Sequence, residues 1–185
     1  MNNSFSAGDA EDRYYMEIAL DEAGKALAKD EVPVGAVVVC GGEVIGRGHN
    51  RREELQEPTG HAEILALREA SSSLSCWRLD RCRLYVTLEP CIMCTGAILQ
   101  ARIFRLVFGC RDPKGGAVES LYRLCEDRRL NHHPAVTCGI LERECTDILN
   151  GFFGCLRQRK KTHAKKALEP TLLGDRHRGG GSGGR

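Results

Sequence analysis

The chain has 185 residues, of which 42% are hydrophobic and 28% are charged, and these values are typical of a soluble globular protein. This length predicts one domain, alone or with a tail. No apolar stretch approaches the ~20 residues of a membrane span, and the first residues lack a secretory pattern. Composition therefore excludes a membrane protein, a secreted miniprotein and a fully disordered chain. We expect a cytoplasmic protein that does not associate with membranes.

Charge is distributed unevenly along the chain. The segment 157–185 contains nine Lys or Arg and two Asp or Glu, so it carries +7, whereas the rest of the chain carries −5. A basic extension on an acidic body is compatible with phosphate binding, and also with a solvated tail that only aids solubility. The expected organisation is a disordered N-terminus at 1–10, one domain at 11–160, and a basic, then glycine-rich, flexible tail at 161–185.

The first half of the chain predicts two helices and a β-hairpin. Hydrophobic periodicity and β-rich composition place a helix, two strands and a second helix at 11–28, 32–40, 43–49 and 61–71. Gly41-Gly42 between the two strands is typical of a two-residue hairpin turn. Polar residues at 50–60 indicate a loop, in which Thr59 is the expected N-cap of the second helix.

The second half predicts strands that alternate with helices. Strands are expected at 84–88, 104–110 and 136–140, with helices at 89–101, 121–125 and 142–159. Pro90 suits the first turn of its helix, and 111–116 is an expected turn. Strands that alternate with helices run parallel, with right-handed crossovers. We therefore predict an α/β protein with a three-layer α/β/α fold and a mixed five-stranded sheet.

Two short segments contain residue types that bind metals, His61-Ala62-Glu63 and Pro90-Cys91-Ile92-Met93-Cys94. One imidazole and two thiolates suit tetrahedral zinc with one position left open. Cys91 and Cys94 are three residues apart at a predicted helix start, so their sulfurs project on nearly the same side. Unpaired N–H groups at a helix start also favour thiolate over thiol. The pattern predicts a catalytic zinc site.

A Cys-x-x-Cys pair by itself has two other interpretations, a redox pair and half of a structural zinc site. A structural site needs a fourth ligand at similar spacing, and the sequence contains no second such pair. A redox pair has no use for His61 and Glu63. The other cysteines share no spacing and are expected to be packing or surface residues: Cys40, Cys76, Cys82, Cys110, Cys125, Cys138, Cys145 and Cys155.

The His-x-Glu and Pro-Cys-x-x-Cys pattern resembles the zinc-dependent nucleobase deaminases of the cytidine and deoxycytidylate deaminase superfamily. From about Tyr15 to Arg159, the chain is most similar to the bacterial tRNA-specific adenosine deaminases. The stretches that carry this resemblance are 31–36, 61–64, 84–91, 108–112 and Phe152-Phe153. The resemblance implies a cytidine-deaminase-like fold and a zinc-dependent deaminase domain at 11–160.

The resemblance also implies a role for each residue of the metal site. One zinc ion per subunit would be bound by His61, Cys91 and Cys94, and would lower the pKa of its water to about 7. Glu63 would be a proton shuttle and not a ligand. It would take a proton from that water, pass it to the adenine ring nitrogen and later protonate the departing ammonia.

Five further residues are expected to contact the substrate. The side-chain amide of Asn50 would hydrogen-bond the flipped base, while Pro33 and Val34 would form apolar walls against the ring. Asp112 would lie near the nucleotide that precedes the target. Asn and Asp are also common turn formers, which is the alternative for both polar residues. Phe153 belongs to the aromatic pair in the last helix and is implied by the resemblance alone.

The expected reaction is hydrolytic deamination of adenosine to inosine at the wobble position of a tRNA anticodon loop, where bases are poorly stacked and easily extruded. The implied partners are the anticodon stem-loop and a second copy of the chain in a homodimer. Residues 157–166 would add nonspecific attraction to phosphates, and Gln100 replaces a histidine of some relatives. Two alternatives stay open, a zinc deaminase of free cytosine, cytidine or guanine and a non-catalytic zinc-stabilised RNA-binding module.

Overall fold

The computed structural model describes residues 7–167. The helices are α1 (Ala7–Leu27), α2 (Arg52–Leu55), α3 (Ala62–Leu74), α4 (Ile92–Gln100) and α5 (Glu142–Ala167), and the strands are β1 (Gly35–Cys40), β2 (Glu43–His49), β3 (Cys82–Leu88), β4 (Arg105–Cys110) and β5 (Ala135–Cys138). The chain divides between Phe152 and Phe153 into two compact units. The first unit contains all five strands, and α5 crosses the boundary.

The five strands form one mixed sheet in the order β2-β1-β3-β4-β5. β1 is antiparallel to both β2 and β3, whereas β3, β4 and β5 are parallel to one another. The turn between β1 and β2 has positive φ at both Gly41 and Gly42, which a two-residue hairpin of this type requires. The predicted hairpin, the mixed five-stranded sheet and its parallel half are confirmed.

Helices cover both faces of the sheet. A Cβ atom at Gly48 would overlap the carbonyl oxygen of Ala62 in α3, and one at Gly35 would overlap the carbonyl oxygen of Ala19 in α1. Gly48 pairs with Ala36, whose side chain points away from the face of its neighbour Gly35. Helices α1 and α3 therefore lie on opposite faces, which confirms the three-layer α/β/α arrangement.

A polar network ties α1 to its face of the sheet. Both carboxylate oxygens of the buried Asp12 accept hydrogen bonds from the guanidinium of Arg105, at 2.8 and 2.7 Å. The Tyr85 hydroxyl donates to the same carboxylate at 2.9 Å, and Arg105 also donates to Thr137 in β5. One helix side chain is thus linked to three neighbouring strands.

Two terminal boundaries differ from the sequence prediction. Helix α1 begins at Ala7, so residues 7–10 are helical and not disordered, and Asp9 in the first turn favours this because a carboxylate stabilises a helix N-terminus. Helix α5 continues to Ala167, so residues 161–167 are helical where a flexible tail was expected. The remaining parts of both terminal predictions, 1–6 and 168–185, lie outside the described residues.

The connections also differ locally. The loop at 50–60 contains the short helix α2, and the helix predicted at 121–125 is a single 3-10 turn at Leu124–Glu126. Helix α4 begins at Ile92 and not at Glu89, because Cys91 is extended and forms a β-bridge with Gly116. Within residues 7–167, no helix is long and apolar enough to cross a membrane.

Candidate active site

The starts of two helices bring the predicted metal ligands together. His61 is the N-cap of α3, Cys91 is the N-cap of α4, and Cys94 lies in the first turn of α4. The His61 Nδ1 atom is 3.8 Å from the Cys91 sulfur and 3.5 Å from the Cys94 sulfur. All three donor atoms lie within 4.8 Å of one another.

These distances fit a tetrahedral zinc ion. Zinc–sulfur bonds of about 2.3 Å and zinc–nitrogen bonds of about 2.0 Å, at the tetrahedral angle, separate nitrogen from sulfur by roughly 3.6 Å. Both observed nitrogen–sulfur distances are close to that value. One imidazole with two sulfurs is also a donor set that zinc prefers. The residues therefore fit a metal ion with one position open.

The three donor groups shift one another's pKa. The pKa of Cys91 is lowered to about 3, because the Cys94 thiol and the His61 ring hydrogen-bond to its sulfur. The same contact with Cys91, together with burial, raises the pKa of Cys94. Interaction with the Cys91 sulfur raises the pKa of His61. A lowered pKa at Cys91 favours its thiolate form and so suits a cation, since metal ligands are deprotonated when they bind.

Glu63 lies in the first turn of α3, two residues after His61, and its side chain is buried. Burial raises its pKa above the ordinary value, while its own backbone N–H and His61 act in the opposite direction. Its carboxyl group interacts with the Cys94 thiol. The structure thus brings a carboxyl group to the metal donors without making it part of the three-donor set.

Asn50 joins two segments of the site. Its side-chain oxygen accepts a 3.0 Å hydrogen bond from the N–H of Ala62, and its side-chain nitrogen donates to the carbonyl oxygen of Val32 at 3.1 Å. Asn50 therefore caps the first N–H of α3 from outside the helix, because the N-cap residue His61 makes no side-chain hydrogen bond to the helix start. The predicted cap, Thr59, is wrong, because its hydroxyl instead donates to Glu57 in the exposed loop.

The other predicted substrate residues occupy different positions. Pro33 and Val34 are buried before β1, and the Val34 carbonyl oxygen accepts a hydrogen bond from the Asn50 N–H at 3.1 Å. Asp112 is half-buried after β4, where its carboxylate accepts a hydrogen bond from the N–H of Lys114 at 2.9 Å. Phe153 is 41% exposed and lies in the second compact unit. Substrate contacts by these residues stay predictions.

Sequence reasoning missed one residue of this region, Glu89. It lies between β3 and Cys91, is 2% exposed, and accepts hydrogen bonds from the loop that carries Asp112. Burial by itself would raise its pKa, but the N–H groups of Glu119, Ser120 and Asp112 together with the Ser120 hydroxyl lower it. The sequence signal that could have identified Glu89 is its position, because a carboxylate that directly follows a buried strand needs hydrogen-bond donors.

A separate cavity of about 570 Å³ opens between β2, α2 and α3. Its lining includes Arg47, Arg51 and Arg68, with Glu57 and Glu69, but none of the three metal donors. The cluster of His61, Cys91 and Cys94 therefore does not line this cavity. We assign the candidate active site by its chemistry and not by volume.

Residues 10–157 match the family model described as MafB19-like deaminase. The tRNA-specific adenosine deaminase of Bacillus subtilis (strain 168) is 48% identical over 159 residues, which cover 86% of this chain and 99% of that protein. The protein of the same name from Agrobacterium fabrum (strain C58 / ATCC 33970) is 51% identical over 144 residues, covering 78% of this chain and 95% of that protein.

Solved structures show the same fold. One from work on A-to-I editing by tRNA:A34 deaminases at the wobble position of transfer RNA has a TM-score of 0.72 and 51% identity, covering 74% of this chain and 99% of that one. Guanine deaminase from Bacillus subtilis has a TM-score of 0.52 and 29% identity, covering 65% and 82%. The chain therefore belongs to the MafB19-like deaminases and to the family of tRNA-specific adenosine deaminases.

Proposed function

We propose that this chain hydrolyses adenosine to inosine and ammonia at the wobble position of a tRNA anticodon loop. The observation that carries the proposal is the cluster of His61, Cys91 and Cys94 beside the buried Glu63. The family supports the choice of substrate. This chain matches 99% and 95% of the lengths of two relatives, and both are named tRNA-specific adenosine deaminases.

We propose zinc as the resident ion, one per chain, held by His61 Nδ1 and the sulfurs of Cys91 and Cys94. When bound, zinc supplies the Lewis acidity that makes a water molecule a competent nucleophile near neutral pH. The chain contributes the geometry of the donors. Both N-cap positions fix their side chains at the ends of rigid helices, which keeps the three donors together before the ion arrives.

Glu63 is the proposed proton carrier. Its carboxyl group would accept a proton from the attacking water, deliver it to N1 of adenine, and then protonate the exocyclic nitrogen as ammonia leaves. Atoms balance, since one water is consumed and one ammonia is released. Burial of Glu63 keeps bulk water from competing for that proton.

Substrate positioning is assigned to five further residues. Asn50 holds the start of α3 and has a second side-chain N–H that can donate to the base, with Pro33 and Val34 beside it as apolar walls. Asp112 would contact the preceding nucleotide and Phe153 the anticodon loop. Action in the cytoplasm and homodimerisation are further parts of the proposal, and sedimentation of the purified chain tests the latter.

The test uses an anticodon stem-loop with adenosine at the wobble position. The wild-type chain should convert that adenosine to inosine, which reverse transcription reads as guanosine. Glu63→Ala should retain one zinc per chain by elemental analysis and lose about 10²–10⁴-fold in kcat, the usual contribution of a general acid–base. Glu144→Gln removes an exposed carboxylate of α5 and should leave both measurements unchanged.

Each competing function predicts a different result in the same assay. Deamination of free guanine, cytosine or cytidine without inosine in the stem-loop would identify a deaminase of small substrates. Tight binding of the stem-loop without ammonia release would identify a non-catalytic RNA-binding module. Loss of zinc in Glu63→Ala would make Glu63 a ligand and contradict its assigned role.

A further inference from the structure

One carboxylate holds both ends of the loop that follows β4. The Oε2 atom of Glu89 accepts a 3.0 Å hydrogen bond from the N–H of Asp112, at the start of this loop. The Oε1 atom accepts hydrogen bonds of 3.1, 2.7 and 2.9 Å from the N–H groups of Val118, Glu119 and Ser120, at its end. The Ser120 hydroxyl donates a further hydrogen bond to Oε2.

The loop is closed tightly around this carboxylate. A Cβ atom at Gly116 would overlap the carboxyl group of Glu89, so only glycine fits at this position without a shift. The N–H of Gly116 donates to the carbonyl oxygen of Asp112 at 2.9 Å, which closes a turn inside the loop. Glu89 is 2% exposed, and residues 112–120 surround its carboxylate and donate hydrogen bonds to it from both ends of the loop.

The same loop contacts the metal-ligand segment directly. Gly116 forms a β-bridge with Cys91, and the N–H of Ala117 donates to the carbonyl oxygen of Pro90 at 2.8 Å. Glu89 is itself two residues before Cys91. The position of Asp112 relative to the metal donors is therefore determined through Glu89 and through these two backbone contacts.

The loop presents groups suited to a nucleic-acid strand. Lys114 is exposed near its start, beside the half-buried Asp112, and Arg111 is exposed just before the loop, where its guanidinium forms a 2.8 Å ion pair with Glu119. The Asp112 carboxylate already accepts the N–H of Lys114, so this turn has a defined shape. A defined shape matters for binding, because a loop that must be ordered on binding weakens the affinity.

We infer that Glu89 is a positioning residue for substrate, which fixes the loop 112–120 against the Cys91 segment so that Asp112 and its neighbours meet the RNA strand next to the target base. This inference rests on the proposed function. Hydrogen bonds from several N–H groups to an ionised carboxylate are stronger than neutral ones, so one side chain suffices to order the loop. The class of ligand is a single-stranded RNA segment that enters the site from the loop side.

Positioning through Glu89 should affect substrate binding more than the chemical step. Cys91 keeps independent support at the start of α4, since its carbonyl oxygen accepts the Thr95 N–H at 2.8 Å and the Pro90 carbonyl accepts the Thr95 hydroxyl at 3.3 Å. Glu63 and His61 belong to α3, which is held by Asn50. Loss of the Glu89 carboxylate therefore loosens the two loop ends, at Asp112 and at 118–120, while the contacts of Gly116 and Ala117 with the Cys91 segment remain and the metal donors stay in place.

The main test is Glu89→Gln, which keeps the shape but replaces one acceptor oxygen by an NH2 group facing N–H donors. We expect KM for the anticodon stem-loop to rise about 10-fold. This is the result if only roughly a tenth of the molecules keep the loop in its binding conformation, because the apparent affinity falls in proportion to that fraction. We expect kcat and zinc content to stay close to wild type. Hydrogen exchange of the amides at 118–120 should accelerate, while exchange within α4 should not.

Two further variants control the comparison. Glu126→Gln makes the same charge change at an exposed carboxylate outside the loop, and should match wild type. Ser120→Ala removes one donor to Glu89, and should raise KM and amide exchange of the loop in the same direction as Glu89→Gln but by less. If Glu89→Gln does not fold, Ser120→Ala alone decides the question, and unchanged KM and exchange there overturn the inference.

Other outcomes also overturn the inference. A fall in kcat at constant KM would assign Glu89 to the chemical step, and loss of zinc would assign it to the metal site. Unchanged exchange at 118–120 in Glu89→Gln would show that it does not order the loop. Failure of the proposed function is separate, because it appears as inactivity of the wild-type chain, whereas amide exchange needs no substrate.

Discussion

The side-chain oxygen of Asn50 accepts a 3.0 Å hydrogen bond from the backbone N–H of Ala62, the residue between His61 and Glu63. An N-terminal cap of this kind stabilises a helix by about 1 kcal/mol. Asn50→Ala should therefore lower the free energy of unfolding by about that amount. Because the start of α3 carries His61 and Glu63, kcat should also fall. Chemical denaturation and steady-state kinetics measure the two effects.

The control for Asn50 is Thr59→Ala. Thr59 lies three residues before the start of α3, and its hydroxyl donates within the exposed loop and not to the helix, so removal of that hydroxyl should leave stability within about 0.5 kcal/mol of wild type. The base-contact role of Asn50 predicts, in addition, weaker binding of the stem-loop by Asn50→Ala. Lower zinc content with unchanged stem-loop affinity would contradict that role.

Gly48 sets how closely α3 packs on the edge strand β2. A Cβ atom there would overlap the carbonyl oxygen and the backbone of Ala62, and backbone atoms cannot rotate away. Gly48→Ala should destabilise the fold by about 1–3 kcal/mol and reduce activity by displacing the start of α3. Thermal unfolding and inosine formation measure both effects.

The matched substitution is Gly24→Ala in the last turn of α1. Nothing lies within 4 Å of a Cβ atom at Gly24, and alanine in a helix interior is more favourable than glycine by roughly 0.5–1 kcal/mol. Gly24→Ala should therefore stabilise the protein. Equal destabilisation by both substitutions would show that close packing at Gly48 is not the cause.

Features that depend on neighbouring residues could be predicted from the sequence. Gly41-Gly42 marked the hairpin because both positions need positive φ, and the three-residue spacing of Cys91 and Cys94 brought both sulfurs to one helix start. Alternation of strands and helices predicted the parallel half of the sheet. His61 was predicted as the third donor because one imidazole with two thiolates suits tetrahedral zinc, and the resemblance to a known family implied the same ligand set.

Features that depend on distant residues could not be predicted. The cap of α3 comes from Asn50, 12 residues from Ala62 in sequence, so local cap rules chose Thr59 instead. The partners of Glu89 lie 23 to 31 residues away. No periodicity indicates that one buried carboxylate will fold a loop around itself, and α4 starts at Ile92 because that loop bridges to Cys91.

Asp12 in α1 is the centre of the polar network that reaches three strands. Its carboxylate is almost fully buried, whereas its partner Arg105 is a quarter exposed. Breaking a fully buried ion pair costs about 3–5 kcal/mol, and partial exposure of Arg105 reduces the cost here to about 2–3 kcal/mol. We expect Asp12→Ala to lower stability by that amount, as measured by urea denaturation.

Tyr85→Phe is the control for Asp12, because it removes a single neutral donor from the same carboxylate. Its cost should be smaller, about 1 kcal/mol. Activity per folded molecule should stay near wild type in both variants, since the network lies on the face of the sheet opposite α3. A larger effect of Tyr85→Phe than of Asp12→Ala would contradict this ranking.

Cysteine reactivity should divide according to burial. Burial raises the pKa of Cys82 to about 12, with Cys40 opposite it in the sheet as a further cause, and burial raises the pKa of Cys145 to about 12 as well. At pH 8 a thiol with that pKa is thiolate in roughly one molecule in 10⁴, and only the thiolate is alkylated. Among the cysteines outside the metal site, exposed Cys76 and Cys155 should therefore be alkylated first.

Peptide mapping by mass spectrometry after brief alkylation at pH 8 tests this order. Reaction of Cys82 should begin only when the pH approaches its pKa or when the protein unfolds. Labelling of Cys82 at the rate of Cys76 under native conditions would show that strands β1 and β3 open readily at Cys40 and Cys82.

Removal of the metal should abolish activity and lower stability together. An ion that binds only the folded chain stabilises it by RT ln(1 + [M]/Kd), about 2.7 kcal/mol at a hundredfold excess over Kd. Treatment with a chelator should thus lower the unfolding temperature and stop inosine formation, and added Zn²⁺ should restore both.

Cys91→Ser should behave like the chelated protein, because it removes one of the three donors. Cys76→Ser changes an exposed cysteine outside the donor set and should keep its zinc. Equal zinc content in the two serine variants would exclude Cys91 as a ligand.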